Sequence, residues 1–456
     1  MTNGARQRSS IFTGLLLILL GILFLLQRFD PQLGIGHLLS RYWPVLLILW
    51  GLAKLIDHFT AQRTGEGRPS ILSGPEAALM ILVVAVLIGM SLRESILDRV
   101  SSWNSDADDG AGFFGQKYSD SQELPAKTLA PGAHVIIRTG RGNITIHSGG
   151  GSDLRVEVSE TTSSANEAEA RQHMKNVSVA IDESRNEYTV HPVNQGDSDS
   201  HVSVDLDVEL PKQTAVWARS EHGDITISGV AGTINADTGN GDIEIHDAGS
   251  DVTAKLQKGN ARISNVAGNV VLSGKGNEIE VGDVKGNATL VGDFFDSIHI
   301  RNVSKTTRYT SQRSDLTLVN LTGRLELDSG DLKVSDVSGN AKLVMHNNDV
   351  EIENVAGRLD IQDTHGDIRI VLAQPPREPI SVMNESGDVD LALPAGSNFE
   401  VSAVSKSGEV KSEFDDSGLE PVNDSSTGRL NGKIGTHGPK ITVATTYGTI
   451  SLKKSS

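Results

Sequence analysis

The chain has 456 residues, 22% of them charged, a net charge of −17 and no cysteine. That length exceeds one ordinary domain, and the missing cysteine excludes a disulfide scaffold and thiolate metal sites. Residues 1–100 carry nine Lys/Arg against six Asp/Glu and residues 101–456 carry 32 against 52. The larger part is therefore acidic, which excludes a nucleic-acid binder, since that needs a basic surface.

After a polar tail, 1–10, residues 11–92 hold three apolar segments at about 11–27, 38–57 and 71–92. The first has no charge. Arg41 and Lys54 lie near the ends of the second, where long side chains snorkel, and sixteen uncharged residues follow Glu76 in the third. Each is long enough to span a bilayer, about 17–25 residues, and in lipid such segments must be helices. A soluble helical hairpin has no other apolar helix to pack on. A cleaved signal peptide lacks a small-residue site after Leu26. With the N-terminus inside, Arg6, Arg8, Lys54, Arg63 and Arg68 face the cytoplasm and Arg28, Arg41, Arg93 and Arg99 face out. This bias sets the acidic region outside the cytoplasmic membrane.

Residues 93–130 are polar and acidic and read as a linker. Residues 131–222 read as an N-terminal cap with the first strands. His134 to Arg138 alternates, and Gly142-Asn143-Ile144-Thr145-Ile146 is the first copy of a motif that recurs later. Ser163 to Asn176 is the one clear helical stretch, with Ser164 as its cap.

From Gly223 the motif Gly-Asp/Asn-aliphatic-x-aliphatic returns with near-constant spacing, and 223–456 reads as one repeat domain. Its first aliphatic position falls at Ile225, Ile243, Ala261, Ile279, Ile298, Leu316, Leu332, Val350 and Ile368. The intervals are 18, 18, 18, 19, 18, 16, 18 and 18 residues. A second series, Ala236, Ala254, Leu272, Leu290, Tyr309, Leu327, Leu343 and Ile361, keeps the same step. Alternation of aliphatic and polar residues is the strand period, and a repeat near twenty residues means one supersecondary unit stacked on the next. Eighteen residues are too few for a strand plus a helix and enough for two or three short strands. The expected fold is all-β, a parallel β-helix solenoid of about 18 residues per coil behind three transmembrane α-helices.

Such a unit must repeat. A coil buries a few aliphatic side chains worth about 1.5–3 kcal/mol each, while ordering each residue costs about 1–2 kcal/mol. Bonds to the coils above and below close the gap. Past Ile370 the spacing loosens, 412–428 is an acidic loop, and Leu430–Gly438 with Ile441–Leu452 read as closing strands.

The candidate site residues form a column that follows the glycines: Asp224, Asp242, Asn260, Asp315, Asp331, Asp349, Asp367 and Asp388. At about 4.8 Å per coil, carboxylates in a row could share calcium. Asp and Asn after Gly also make turns by bonding their own backbone, and the Gly-Gly-x-Gly-x-Asp calcium repeat is absent, so turn chemistry is the expected role and no metal or cofactor is expected. Paired carboxylates such as Asp106/Asp108 and Asp415/Asp416 read as solvated loops. No His-Glu-x-x-His or Gly-x-Ser-x-Gly is present, and eighteen-residue coils leave no long loops to wall a catalytic groove. Trp217 and Tyr309 read as packing or coil-edge residues.

Two resemblances follow from these motifs. The glycine-containing apolar run Gly14 to Leu26 and the run from Tyr42-Trp43-Pro44 to Trp50-Gly51 resemble the paired-helix region of LiaI/LiaF-like membrane proteins of the bacterial envelope. The strand Val202 to Leu210, the repeated Gly-Asp/Asn strand starts and the closing Ile441 to Leu452 resemble the bacterial putative-adhesin family of short-coil β-helical domains. Together they imply a membrane-anchored, non-enzymatic protein of the cell envelope, displaying an acidic β-helical rod to a protein or glycan partner. The alternative they imply is a LiaF-like regulator that couples envelope stress to a membrane sensor kinase.

Overall fold

The structure, a computed structural model, describes residues 116–456 apart from 165, 195–201, 329–330, 415–418 and 456. The segments expected to cross the membrane, 11–27, 38–57 and 71–92, lie outside the described residues. The chain divides into two units. The described parts of one are 116–119 and 161–175; the other is 120–160 with 176–456.

In the first unit the helix Glu167–Lys175 starts on Asn166, whose Oδ1 accepts the Glu169 N–H at 2.9 Å. Glu167 pairs with Arg171 one turn on. Ser164 does not cap this helix, because the strand Asp153–Ser164 runs through it.

The second unit is all-β and built by solenoid-like repetition. Each full coil has two strands, one in each of two sheets: Ile225–Ser228 then Ile234–Asn240, Ile243–Ala248 then Val252–Leu256, Ala261–Val266 then Val270–Gly276. Like strands pair in parallel, one coil apart. The first sheet carries Ile225↔Ile243↔Ala261↔Ile279↔Ile298 in register, and the second carries Ile234↔Val252↔Val270↔Ala288↔Thr307. Because the side-chain period is two, Ile225 and Ile227 point inward while Thr226 and Ser228 point out. All four isoleucines of the first two coils in that sheet are at most 1% exposed.

The winding reverses once. The chain turns back at Ser311–Ser314, so Ser314–Val319 lies antiparallel to both Thr306–Thr310 and Ala341–Met345 in the second sheet. It then crosses to Arg324–Asp328, antiparallel to both Ser297–Val303 and Asp331–Val337 in the first sheet. Parallel stacking resumes with Leu332↔Val350↔Ile368. Leu316 and Leu327 therefore exchange the files expected of them. Leu316 sits in the second sheet between Tyr309 and Leu343, and Leu327 sits in the first between Ile298 and Leu332. Alternation is blind to strand direction, so a reversed coil keeps the same hydrophobic pattern.

Both ends of the stack are interleaved. The coil His134–Arg141 with Ile144–Gly149 lies between Glu187–Val193 with Ser203–Pro211 on one side and Ala215–His222 with Ile225–Ser228 on the other. At the far end Lys440–Tyr447 with Ile450–Ser455 slots between Ile380–Ser386 with Val389–Pro394 and Phe399–Ser407 with Val410–Ser412. Residues 441–452 thus do not close the stack; they are held within it, and 134–149 is a rung of the stack and not a cap. Strands also occupy Gln116–Glu123 and Lys127–Thr128, inside the segment read as a linker.

The last coil is covered. Phe414 packs edge-on against Phe399 at 5.3 Å, Leu419 is 1% exposed, and Gly428–Ile434 adds an antiparallel strand beside Phe399–Ser407. Ser178–Ser184 does the same beside Glu187–Val193. These additions shield edges that would otherwise be open to pairing with another chain.

Candidate functional site

Three polar columns run along the corners of the stack. The first holds the predicted turn residues other than Asp315, and along most of it the side chain reaches the next coil and not its own backbone. The N–H of Asp224 donates to Asn143 Oδ1 at 2.9 Å, that of Asp242 to Asp224 Oδ1 at 2.8 Å, and that of Asn260 to Asp242 Oδ1 at 2.8 Å. The series resumes as Asp367 to Asp349, Asp388 to Asp367 and Thr449 to Asp388, at 2.7–2.8 Å. A corner N–H freed by the end of the ladder is satisfied by the carboxylate below it, which explains why Asp or Asn stands there. Asp331 holds this position, in register with Asp349. Asp315 does not: it lies in the reversed strand, opposite Thr310 and Val344. Among the described residues no group of three or more His, Asp or Glu side chains is arranged to hold a metal ion.

The second column went unread in the sequence. Asp247, Asn265, Asp283, Asn302, Asp336 and Asn354 all have φ between 53° and 59° and stand one residue before a buried valine or alanine. Asn and Asp tolerate this left-handed conformation best after glycine, and the extra residue re-aims the next side chain into the core. Asn302 Nδ2 donates to Asp283 at 2.9 Å and Asn354 Nδ2 to Asp336 at 3.0 Å. Hydrogen bonds from Asn265 and then His246 hold the Asp247 carboxyl below the usual carboxylate range. The available signal was an Asx before the corner valine in coil after coil. The third column, Asp251, Asn269 and Asn287, bonds coil to coil at the opposite corner in the same way.

The two outward faces differ. On the first sheet charges alternate along a row, Glu244–Arg262–Glu280 and, beyond the reversed coil, Lys333–Glu351–Arg369–Asp390. Arg262 pairs with Glu280 at 2.8 Å and Lys333 with Glu351 at 3.2 Å. The hydrogen bond it accepts from Arg262 holds the Glu280 carboxyl low, and the bond that Lys333 donates to Glu351 holds the Lys333 ammonium high. Such exposed pairs contribute little to stability, but they pair the face internally.

On the second sheet the outward row Trp217↔Asn235↔Thr253↔Val271↔Thr289 is uncharged. Trp217 is 38% exposed, with the Arg138 guanidinium 4.8 Å from its ring centre. It lines an open depression together with His134, Glu187, Thr233 and Asn235. The strict alternation of Val216-Trp217-Ala218 marks Trp217 as outward, so it is a surface residue and not a core one. Tyr309 is the reverse, 3% exposed and stacked with Phe294 at 6.2 Å.

Residues 268–453 match the family described as Toastrack DUF4097. That segment is similar to a Toastrack domain. Residues 11–55 match the LiaI-LiaF-like transmembrane region. No curated protein matches the chain. Among solved structures it is similar to a "putative cell adhesion protein" from Clostridium sporogenes, at 9% identity over 75% of this chain and 100% of that one, with a TM-score of 0.16. It is also similar to a "putative adhesin" from Bacteroides fragilis, at 12% identity over 74% and 97%, with a TM-score of 0.18. A "putative adhesin" from Parabacteroides distasonis gives 11% identity over 74% and 97%, with a TM-score of 0.19. The Toastrack match begins before the reversed coil and ends in the interleaved C-terminal coil, so both features lie within it.

Proposed function

We propose that this is a membrane-anchored, non-enzymatic protein of the bacterial envelope whose Toastrack domain is displayed outside the cytoplasmic membrane as a binding surface. The observation that carries the reading is Trp217 itself, exposed at the head of an uncharged outward row of the second sheet. An aromatic ring half open to solvent, with Asn235, Thr233, His134 and Glu187 about it, offers apolar contact and mixed donors and acceptors. That is the chemistry of a site for a glycan or a polar protein surface. The opposite face, its charges already paired, has less to offer a partner.

The test uses the full-length protein in nanodiscs and isolated cell-wall glycan as the probe. Retention of the wild type, weakened about tenfold (~1.4 kcal/mol) by Trp217→Ala, is the expected result. Equal retention of both proteins would contradict the assignment of this face. Protease access to residues 131–456 in intact cells tests the side of the membrane, and protection there would contradict display.

The LiaI-LiaF-like match favours a second reading, in which the membrane segment contacts a sensor kinase and the Toastrack domain senses envelope state. Deleting residues 131–456 while keeping 1–130 separates the two. Envelope-stress signalling that survives the deletion unchanged would remove the sensing role.

A further inference from the structure

Inside the second sheet buried polar residues stand three positions before several of the corner glycines, whereas Leu256 takes that place before Gly259. Ser220 and Thr238 are at most 1% exposed, and their hydroxyls donate to the carbonyls of Gly142 (2.9 Å) and Gly223 (3.0 Å). Asn384 Nδ2 donates to Gly366 O at 2.8 Å and Ser405 to Gly448 O at 2.7 Å. Thr445 points to Gly387 O at 3.4 Å. In every case a donor on one coil satisfies a corner carbonyl on its neighbour. The sequence shows the rule as Ser/Thr/Asn-x-x-Gly: Ser220 to Gly223, Thr238 to Gly241, Asn384 to Gly387 and Thr445 to Gly448.

Among the polar members just named and their register partners, one acidic residue breaks the rule. Asp363 stands three residues before Gly366, in register with Asn384, and is 7% exposed. The corner carbonyl beneath it belongs to Asn348, which a Cβ on Gly366 would approach to 2.1 Å. A carboxylate has no hydrogen to give such a carbonyl. Asp363 Oδ1 accepts the Thr364 N–H at 2.8 Å, but Oδ2 is buried with no partner, and so is Oδ1 of Asn384 on the paired strand. Two orphaned acceptors side by side, at a position where every other polar residue named above donates, lack one thing in common: a proton.

We infer that Asp363 is held as the neutral acid, its Oδ2–H donating within the column, so that the Toastrack stack carries a proton-dependent latch between the coils on either side of it. Burial pushes the Asp363 carboxyl above its usual range; the N–H groups of Thr364 and His365 and the charges of His365 and His346 oppose this. His365 stands on its own strand and His346 on the coil below. The coil above contributes the uncharged Asn384, and the strand Ile368–Val371 turns only Ile368 and Ile370 inward. A carboxyl raised on folding adds stability that is complete below its unfolded value, about 3.9, and is lost as pH climbs through the folded value. The latch is therefore tight in acid and loosens toward alkali, the opposite of an ordinary salt-bridged carboxylate.

The test compares the full-length protein in nanodiscs with Asp363→Asn, which supplies the donor that Asn384 already supplies one coil away, and with Asp363→Ser, matching Ser220 and Ser405. Melting is followed by circular dichroism from acid, near the unfolded value of about 3.9, up to mildly alkaline pH. The expected result is a melting temperature for the variants that exceeds wild type by several degrees at the alkaline end, the gap shrinking toward acid. The infrared difference spectrum, wild type minus Asp363→Asn, should show the carbonyl stretch of a neutral carboxylic acid at neutral pH. A gap independent of pH, a gap that widens toward acid, or a carboxylate band in that difference spectrum would each overturn the inference.

Discussion

Ile245 is 0% exposed and lies in register between Ile227 and Ile263, one rung of the file that the second unit is built on. Ile245→Ala removes three carbons from that rung. At about 0.8 kcal/mol per buried methylene the transfer loss alone is roughly 2.4 kcal/mol, and the unfilled space between two fixed isoleucines brings the total to about 2–5 kcal/mol. The neighbouring residue of the same strand supplies the control. Glu244 points outward, and Glu244→Ala should change stability by no more than about 0.5 kcal/mol. In melts of the full-length protein followed at the β-sheet circular dichroism band, Ile245→Ala should lower the midpoint by roughly 4–15 °C. Glu244→Ala should leave it within about a degree or two. Equal effects of the two substitutions would refute the inward file.

Other substitutions probe the corners. A Cβ at Gly241 would lie 2.2 Å from the Gly223 carbonyl oxygen at a backbone φ of 155°, so Gly241→Ala should destabilise by about 1–3 kcal/mol or more, whereas Gly150→Ala, with open space around it, should be neutral in the same melts. Asp242→Ala should cost about 0.5–1.5 kcal/mol by freeing the Asn260 N–H, and Asp242→Asn, which keeps the Oδ1 acceptor, should recover most of it. The Glu280 carboxyl is lowered on folding, so its pairing adds stability above the unfolded value, about 4.3, that disappears as pH falls through the folded value. Acid melts of Arg262→Ala should lack that part of the pH dependence, and an unchanged acid limb would count against the pair.

The eighteen-residue step was legible because stacked coils demand the same inward residue at the same place, and Ile225, Ile243, Ala261 and Ile279 do share one file. The Asx residues after glycine were legible as corner residues, but not their partners, since the bond that Asp224 accepts from the Asp242 N–H of the next coil leaves no local trace. The reversed coil was hidden for a different reason: turning at Ser311–Ser314 preserves both spacing and alternation, and only the 19- and 16-residue intervals disturb the count. Interleaving at both ends was hidden too. Ile450 carries the same motif as Ile368, so nothing in it tells that it pairs with Val389 and Val410. The Asp363 anomaly becomes visible only when the polar residues at its position in other coils are seen to donate. Trp217 reads from sequence only as a packing or coil-edge residue, because one aromatic in an alternating strand shows which face it takes only once the inward face is known.

The chain has no cysteine, which makes double-cysteine crosslinking along the outward row of the first sheet the most direct test of the stacking. Register partners lie within the Cα range that a disulfide spans, about 4.4–6.8 Å. Thr226→Cys with Glu244→Cys, Asp390→Cys with Ser451→Cys, and Ser451→Cys with Lys411→Cys should each crosslink rapidly in the full-length protein. Glu244→Cys with Glu280→Cys, and Asp390→Cys with Lys411→Cys, each separated by an intervening coil, should not. Rapid crosslinking of these last two pairs, with none in the first three, would contradict the stacked and interleaved coils.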